Sequence, residues 1–109
     1  MFFELNVSLS KQKSGVSDSM ISISKLKQQI ADGYTADAIR TIDRMITECP
    51  SDDKLYYLRG NAYYKQGVWH AAINDYLEAI ALNPDSPAAG AYAMLMDILE
   101  FYNKDIYNQ

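Results

Sequence analysis

Apolar residues recur every three or four positions along most of the chain, which is the pattern of amphipathic α-helices. The first such segment runs over Ser19–Asp32 and carries Ile23, Leu26 and Ile30 at helical spacing. Gly33 follows it, and glycine commonly ends a helix because it adopts the left-handed conformation easily. The pattern therefore predicts a first helix over Ser19–Asp32.

Four further helices are predicted by the same periodicity and by the residues that interrupt it. Pro50 and Pro84 each follow an apolar stripe, and proline prevents a helix from continuing. Ser86 precedes Pro87, and a capping serine followed by proline is typical of a helix start. The predicted helices are Thr35–Glu48, Asp53–Gln66, Trp69–Leu82, and Pro87 to about Tyr102. No segment alternates with period two for long enough to predict a strand, so the predicted fold class is all-α.

Residues 1–18 differ from the rest of the chain. They are rich in serine and include Lys11, Lys13 and Gly15, so we expect a flexible N-terminal arm, disordered or loosely docked. The first residues lack the basic flank and the long apolar run of a signal peptide. The single cysteine, Cys49, allows no internal disulfide and favours a reducing compartment. These features, with no apolar run of about 18 residues, predict a cytoplasmic protein that does not span a membrane.

The chain also contains an internal repeat. A shift of 34 residues superposes the turns, the small helix-contact residues and the prolines, which are the positions where geometry restricts residue choice most. The superposed pairs are Gly33 with Gly67, Ala38 with Ala72, Ile39 with Ile73, Ile46 with Ile80, and Pro50 with Pro84. One helix pair cannot bury its own apolar stripe, so we expect successive pairs to stack.

A helix–turn–helix period of this length resembles the tetratricopeptide repeat (TPR). The family signature asks in order for Trp, Leu-Gly, Tyr, Ala, Phe, Ala and Pro. The chain supplies Tyr56, Arg59-Gly60, Tyr63, Ala72, Tyr76, Ala79 and Pro84. Tyr56 in place of Trp and Arg59 in place of Leu are departures from it, and Ser19–Asp52 match it weakly. The closing stretch also resembles the tail of small stand-alone bacterial members of this family.

The resemblance implies antiparallel helix pairs in a short right-handed superhelix with a concave face. The implied units are repeat 1 over residues 19–52, repeat 2 over 53–86, and a C-terminal capping helix with its tail over 87–109. Together they form a single TPR domain over residues 19–109. Proteins of this kind bind peptides or protein surfaces and carry no chemistry of their own.

The resemblance also places a set of residues on the concave face. They are Lys27, Lys54, Tyr57, Asn61, Tyr64 and Lys65. Asn61 is the strongest candidate, because an asparagine there binds a peptide main chain or C-terminal carboxylate in some family members. The family's carboxylate clamp needs further basic and amide residues. Its other positions hold Ile23, Ser24, Ala88 and Tyr92 here. The alternative is that Asn61 and Tyr64 are ordinary solvated surface.

The fifth predicted helix is apolar almost all round, with only Asp97 and Glu100 charged before Lys104. This pattern predicts burial on two sides, by a second copy, a partner or the Phe2-Phe3 arm. The expected association surface consists of Tyr92, Leu95, Met96, Leu99 and Tyr102. Two functions follow as hypotheses: a protein-interaction module, or a structural subunit whose last helix is permanently buried. The alternative is that these side chains are core, accompanied by small alanines.

Charge and candidate chemistry narrow the function further. The net charge is −4, with acids and bases interspersed, which argues against nucleic acid or an anionic membrane as the partner. The single histidine, His70, has no second histidine or cysteine at metal-binding spacing. No nucleophile and base pair is recognisable, so we expect no enzymatic activity, no metal and no cofactor.

Overall fold

The structure, a computed structural model, describes residues 15–107, with side chains over residues 23–101. It contains five α-helices joined by short turns, and no strand lies within the described residues. The helices are α1 Gly15–Ala31, α2 Thr35–Glu48, α3 Asp53–Gln66, α4 Trp69–Leu82 and α5 Ala88–Tyr107. The predicted all-α class is confirmed, and the fold is a small TPR-like helical repeat.

Helices α2, α3 and α4 have the predicted bounds. Helix α1 begins at Gly15 and not at Ser19, so the last residues of the predicted arm are helical. Residues 1–14 of the predicted arm lie outside the described residues. Helix α5 continues past the predicted end at Tyr102 to Tyr107.

The repeat predicts a turn at each of two glycines, and both glycines adopt the left-handed conformation. Gly33 has φ +96° and Gly67 has φ +80°. The N–H of Gly67 donates to the carbonyl of Tyr64, and the N–H of Val68 donates to that of Tyr63, which satisfies the end of α3. Residues with a Cβ lose about 1 kcal/mol in this conformation, so the two positions fix where each helix pair folds back.

Two apolar clusters lie on either side of α3 and hold the stack together. The first joins α1, α2 and α3 through Leu26, Ile30, Ala38, Ile42, Leu55, Leu58 and Ala62. The second joins α4 and α5 through Ala72, Tyr76, Ala79, Ala88 and Leu95, and tyrosines of α3 pack against it. Ala38 and Ala72, equivalent in the two repeats, are both fully buried. Their small side chains let neighbouring helix axes approach closely.

Arg59, which stands where the signature has leucine, connects α2, α3 and α4. Its Nε and Nη2 donate to the two carboxylate oxygens of Asp75 at 2.9 and 2.8 Å, and its Nη1 donates to Asp43 at 2.8 Å. Asp75 is only 5% exposed. Hydrogen bonding to Asp75 is the main reason that the pKa of Arg59 is raised above its ordinary value. The bidentate pair thus satisfies a buried carboxylate that would otherwise be costly.

Replacing Arg59 by the signature residue, leucine, should destabilise the protein by about 3 kcal/mol, because it leaves Asp75 buried without a cation. The double variant Arg59→Leu with Asp75→Ala should recover most of this loss. Asp43→Asn should cost less than about 1 kcal/mol, since Asp43 is half exposed. Urea unfolding followed by circular dichroism measures all four proteins. A single Arg59→Leu variant as stable as the wild type would contradict this account.

Candidate functional site

An open groove runs between α1 and α3. Its volume is about 380 Å³, and it is lined by Lys27, Ile30, Ala31, Tyr57, Leu58, Asn61, Tyr64 and Lys65. Five of these eight residues belong to the set predicted for the concave face. The buried side chains of Ile30 and Leu58 form part of the first apolar cluster beneath the groove. The groove therefore combines an apolar floor with amide, phenol and ammonium groups.

Lys54 is the one predicted concave-face residue that does not line this groove. Its ammonium lies 3.7 Å from Asp52 and is well exposed. Asp52 also caps α3, since its side chain accepts from the N–H of Lys54 at 3.1 Å. Lys54 therefore lies beside the start of α3.

The side chain of Asn61 is held in one orientation. The hydroxyl of Tyr76 on α4 donates to Asn61 Oδ1 at 2.6 Å. The hydroxyl engages one lone pair of Oδ1 and fixes the amide plane, and the two N–H groups on Nδ2 remain available to a ligand. Burial raises the pKa of Tyr76, so the hydroxyl keeps its proton at neutral pH and remains the donor. Asn61 is thereby preset as a hydrogen-bond donor in the groove.

Tyr76 reaches Asn61 only because residue 60 is glycine. A Cβ on Gly60 would lie 2.6 Å from Cε1 and 2.7 Å from Cδ1 of the Tyr76 ring. The ring is 2% exposed and cannot swing away. It therefore crosses the backbone of α3 at Gly60, which brings its hydroxyl from the second apolar cluster to the edge of the groove. The ring of Tyr57, which lines the groove, lies 6.2 Å from that of Tyr76.

Two ammonium groups give the groove its charge. Lys27 lies on α1 and Lys65 on α3, and both side chains are exposed. Lys65 Nζ donates to the carbonyl of Ala31 at 3.4 Å, which places it at the C-terminal end of α1. Among the side chains that the structure describes, no acidic one lines the groove. The arrangement favours a negatively charged or carbonyl-rich ligand.

An aromatic pair borders the groove. The ring of Trp69 at the start of α4 lies 5.4 Å from the ring of Tyr64, at an interplanar angle of 53°. Trp69 is the only tryptophan in the chain. Its fluorescence therefore reports on the surroundings of a groove residue without any label.

The predicted association surface on α5 needs correction. Leu95 is 0% exposed and packs in the second apolar cluster, so it is a core residue and unavailable to a partner. Tyr92 and Leu99 are half-buried against the same cluster, whereas Met96 is 38% exposed. The side chain of Tyr102 lies outside the described ones. When a helix is apolar on every side, its sequence does not show which side faces the core. For this reason the predicted association surface included Leu95.

Sequence reasoning missed two side-chain contacts, one that orients a groove residue and one that holds α4 on α3. Tyr76 occupies the phenylalanine position of the signature, and its hydroxyl contacts Asn61. A pattern of apolar residues does not distinguish tyrosine from phenylalanine, so it gives no sign of this hydroxyl. Asp75, the partner of Arg59, was not identified because the two lie on different helices. Pairing an arginine at a core position with an acid on the next helix is the signal that could have found it.

No group of three potential metal ligands occurs among the residues that the structure describes. No helix in this part of the chain is both long and apolar enough to cross a membrane.

Comparisons with known proteins identify the family. The model of the TPR repeat matches residues 60–89. The Bacteroides fragilis protein BF1650, solved in solution by NMR, is 48% identical to this chain, with a TM-score of 0.71. The similarity covers 80% of this chain and 89% of that one. No curated protein matches.

The chain therefore belongs to the tetratricopeptide repeat family, as a small TPR-like protein. TPR repeats are generally protein–protein interaction modules, and the family is typically non-enzymatic.

Tyr76→Phe should lower the free energy of unfolding by about 1 kcal/mol, because Asn61 Oδ1 loses its protein donor. It should also free the Asn61 side chain to rotate, which broadens or shifts its amide resonances in NMR spectra. Tyr34→Phe, at an exposed tyrosine, is the matched control and should change neither quantity. An unaltered Asn61 resonance in Tyr76→Phe would contradict the proposed orientation.

The raised pKa of Tyr76 predicts a pH dependence in alkaline solution. In the unfolded chain this phenol ionises near its ordinary value of 10.0, whereas in the folded protein it keeps its proton. Its contribution is therefore fully present below pH 10 and is lost above it, at up to about 1.4 kcal/mol per pH unit. Compared by urea unfolding, the wild type should lose stability relative to Tyr76→Phe above that pH. A constant difference would count against burial of this hydroxyl.

Proposed function

We propose that the protein is a non-enzymatic interaction module that binds an extended peptide segment in the groove between α1 and α3. The observation that carries this proposal is Asn61, whose Oδ1 is occupied by Tyr76 and whose Nδ2 is left to donate. A peptide carbonyl or carboxylate is the acceptor that such a donor fits. Tyr57 and Tyr64 supply aromatic surface on either side along α3.

The chemistry of the groove favours an acidic segment. Lys27 and Lys65 are cations on its two walls, and none of the described residues that line it is an acid. The chain as a whole is acidic, with a net charge of −4, so the groove is the place where an acidic ligand would experience attraction. Ile23 and Ala88 supply no side-chain donor at positions of the family's carboxylate clamp, and Ser24 and Tyr92 supply neither a basic nor an amide group there. One carboxylate is therefore the most that we assign.

We place this activity in a reducing compartment such as the cytoplasm. Cys49 is a free and exposed thiol, which suits a compartment where thiols stay reduced. A protein or peptide is the partner class that we propose, and neither a cofactor nor a metal enters the proposal.

The test uses peptides selected from a random library on the immobilised wild-type protein. The double variant Asn61→Ala with Tyr64→Ala should bind them about 30-fold more weakly, a loss of about 2 kcal/mol. Titrations followed by Trp69 fluorescence measure the wild type, and isothermal calorimetry measures both proteins. Separately, the double variant Lys27→Ala with Lys65→Ala should lower the affinity for acidic peptides more than the affinity for neutral ones.

The matched control is Asn74→Ala with Tyr34→Ala, which removes one asparagine and one tyrosine that are exposed outside the groove. It should bind the selected peptides as the wild type does. Lys54→Ala is the control for the lysine variants, because Lys54 does not line the groove. Equal affinity of the peptides for the groove variant and its control would refute the proposal.

A further inference from the structure

Residues 2–5 of this chain have the chemistry that the groove favours in a ligand. Their sequence is Phe-Phe-Glu-Leu, and Glu4 carries the only charged side chain among residues 1–10. One carboxylate thus lies among three large apolar side chains. The groove offers the complementary groups, namely an apolar floor, two tyrosine rings, the Asn61 donor and two ammonium groups. We call residues 2–5 the arm segment.

The groove lies along the C-terminal half of α1, at a defined distance from the start of that helix. Helix α1 begins at Gly15, and the groove residues on it include Lys27 and Ala31. With a rise of about 1.5 Å per residue, these two residues lie about 18 and 24 Å along the helix axis from Gly15. Any segment that precedes α1 must cover this distance to enter the groove.

The chain between the arm segment and α1 has the length that this distance requires. A reversal over residues 11–14 would leave residues 4–10 to run antiparallel to α1. Seven extended residues span about 23 Å, which brings Glu4 to the groove. The two basic residues of the arm, Lys11 and Lys13, would remain at the reversal beside the start of α1, away from the ammonium groups of the groove.

Charge favours the groove over the exposed side of α5 for this segment. Lys27 and Lys65 stand at the groove, and none of the described residues that line it is an acid. The exposed side of α5 carries Asp97 and Glu100, and like charges brought together at a contact cost free energy. The carboxylate of Glu4 is therefore attracted to the groove and repelled from α5.

We infer that the arm segment binds in the groove of its own chain and competes there with an external peptide. Glu4 accepts from Nδ2 of Asn61 and pairs with Lys65, which donates one N–H to the carbonyl of Ala31 and has two more to give. The two phenylalanine rings lie against the groove tyrosines. The inference rests on the proposed function, because it makes the arm segment an internal substitute for the acidic peptide.

The tether makes even weak binding of the arm segment effective. A short flexible tether gives an effective concentration in the millimolar range. A segment whose dissociation constant is about a third of that concentration fills its groove about three-quarters of the time. An added peptide then binds about fourfold more weakly, because only about a quarter of the grooves are open to it.

NMR spectra of the full chain, without any added ligand, test the docking itself. The arm variant Phe3→Ala with Glu4→Gln should shift the Nδ2 protons of Asn61 and the backbone amide of Lys65, because both lose a neighbouring group. The matched control Lys11→Gln removes one charge at the reversal and should leave both signals in place. Neither signal should depend on protein concentration, since the contact lies within one chain.

A synthetic peptide with the sequence of residues 1–8 should reverse the change when it is added to the arm variant in millimolar amounts. The Asn61 signals should then move back toward their wild-type positions. The same peptide carrying Glu4→Gln should bind several-fold more weakly. Groove signals that are identical in the wild type and the arm variant, or that change on dilution of the wild type, would overturn the inference.

Competition measures the consequence for the proposed function. The arm variant should bind a peptide selected on the wild-type protein about fourfold more tightly than the wild type does, by isothermal calorimetry. Lys11→Gln should bind it as the wild type does. Equal affinities of the arm variant and the wild type would overturn the inference and leave the proposed function intact. Failure to select any peptide would count against the proposed function alone, because the NMR comparison decides the docking without an external ligand.

Discussion

The contact between the Tyr76 ring and the backbone of Gly60 is the constraint on which the rest of the structure depends. A ring fully buried between two helices requires the absence of a Cβ at its closest approach. That approach fixes the separation of α3 and α4 and places the phenol hydroxyl at the far side of α3. There it orients Asn61, so that the packing of one helix pair determines the donor available in the groove. The side chain of Tyr76 therefore links the packing of α3 on α4 to the orientation of Asn61 in the groove.

The second constraint is electrostatic. Arg59 replaces an apolar signature residue at a position that faces α4, and the structure accommodates its charge with Asp75 and Asp43 from the flanking helices. A packed leucine would serve the same position without the cost of desolvating charges. The ion pair also restricts the relative orientation of the two helices, because a bidentate guanidinium–carboxylate pair tolerates little rotation of α4 on α3. The Arg59–Asp75 pair and the Gly60–Tyr76 contact involve adjacent residues on both helices, and together they hold α3 and α4 in one register.

Much of the fold could be predicted because the geometry of a repeat restricts particular residues. Gly33 and Gly67 marked the turns, and Pro50 and Pro84 marked the helix ends, so the bounds of three helices were predicted correctly. The resemblance to the TPR family placed six residues on the concave face, and five of them line the groove. The Tyr76 hydroxyl could not be predicted, since tyrosine and phenylalanine are equivalent in an apolar pattern. Leu95 was misassigned because α5 is apolar on nearly every side, so only the packing shows which side faces the core.

The central claim is that Asn61 acts as an oriented donor to a ligand in the groove. The most direct measurement is the NMR signal of the Asn61 side-chain amide during titration with a peptide selected on the wild-type protein. The account predicts that both Nδ2 protons of Asn61 shift as the groove saturates, while the side-chain amide of Asn74 stays in place. Saturable binding that moves other resonances and leaves the Asn61 amide unchanged would contradict it.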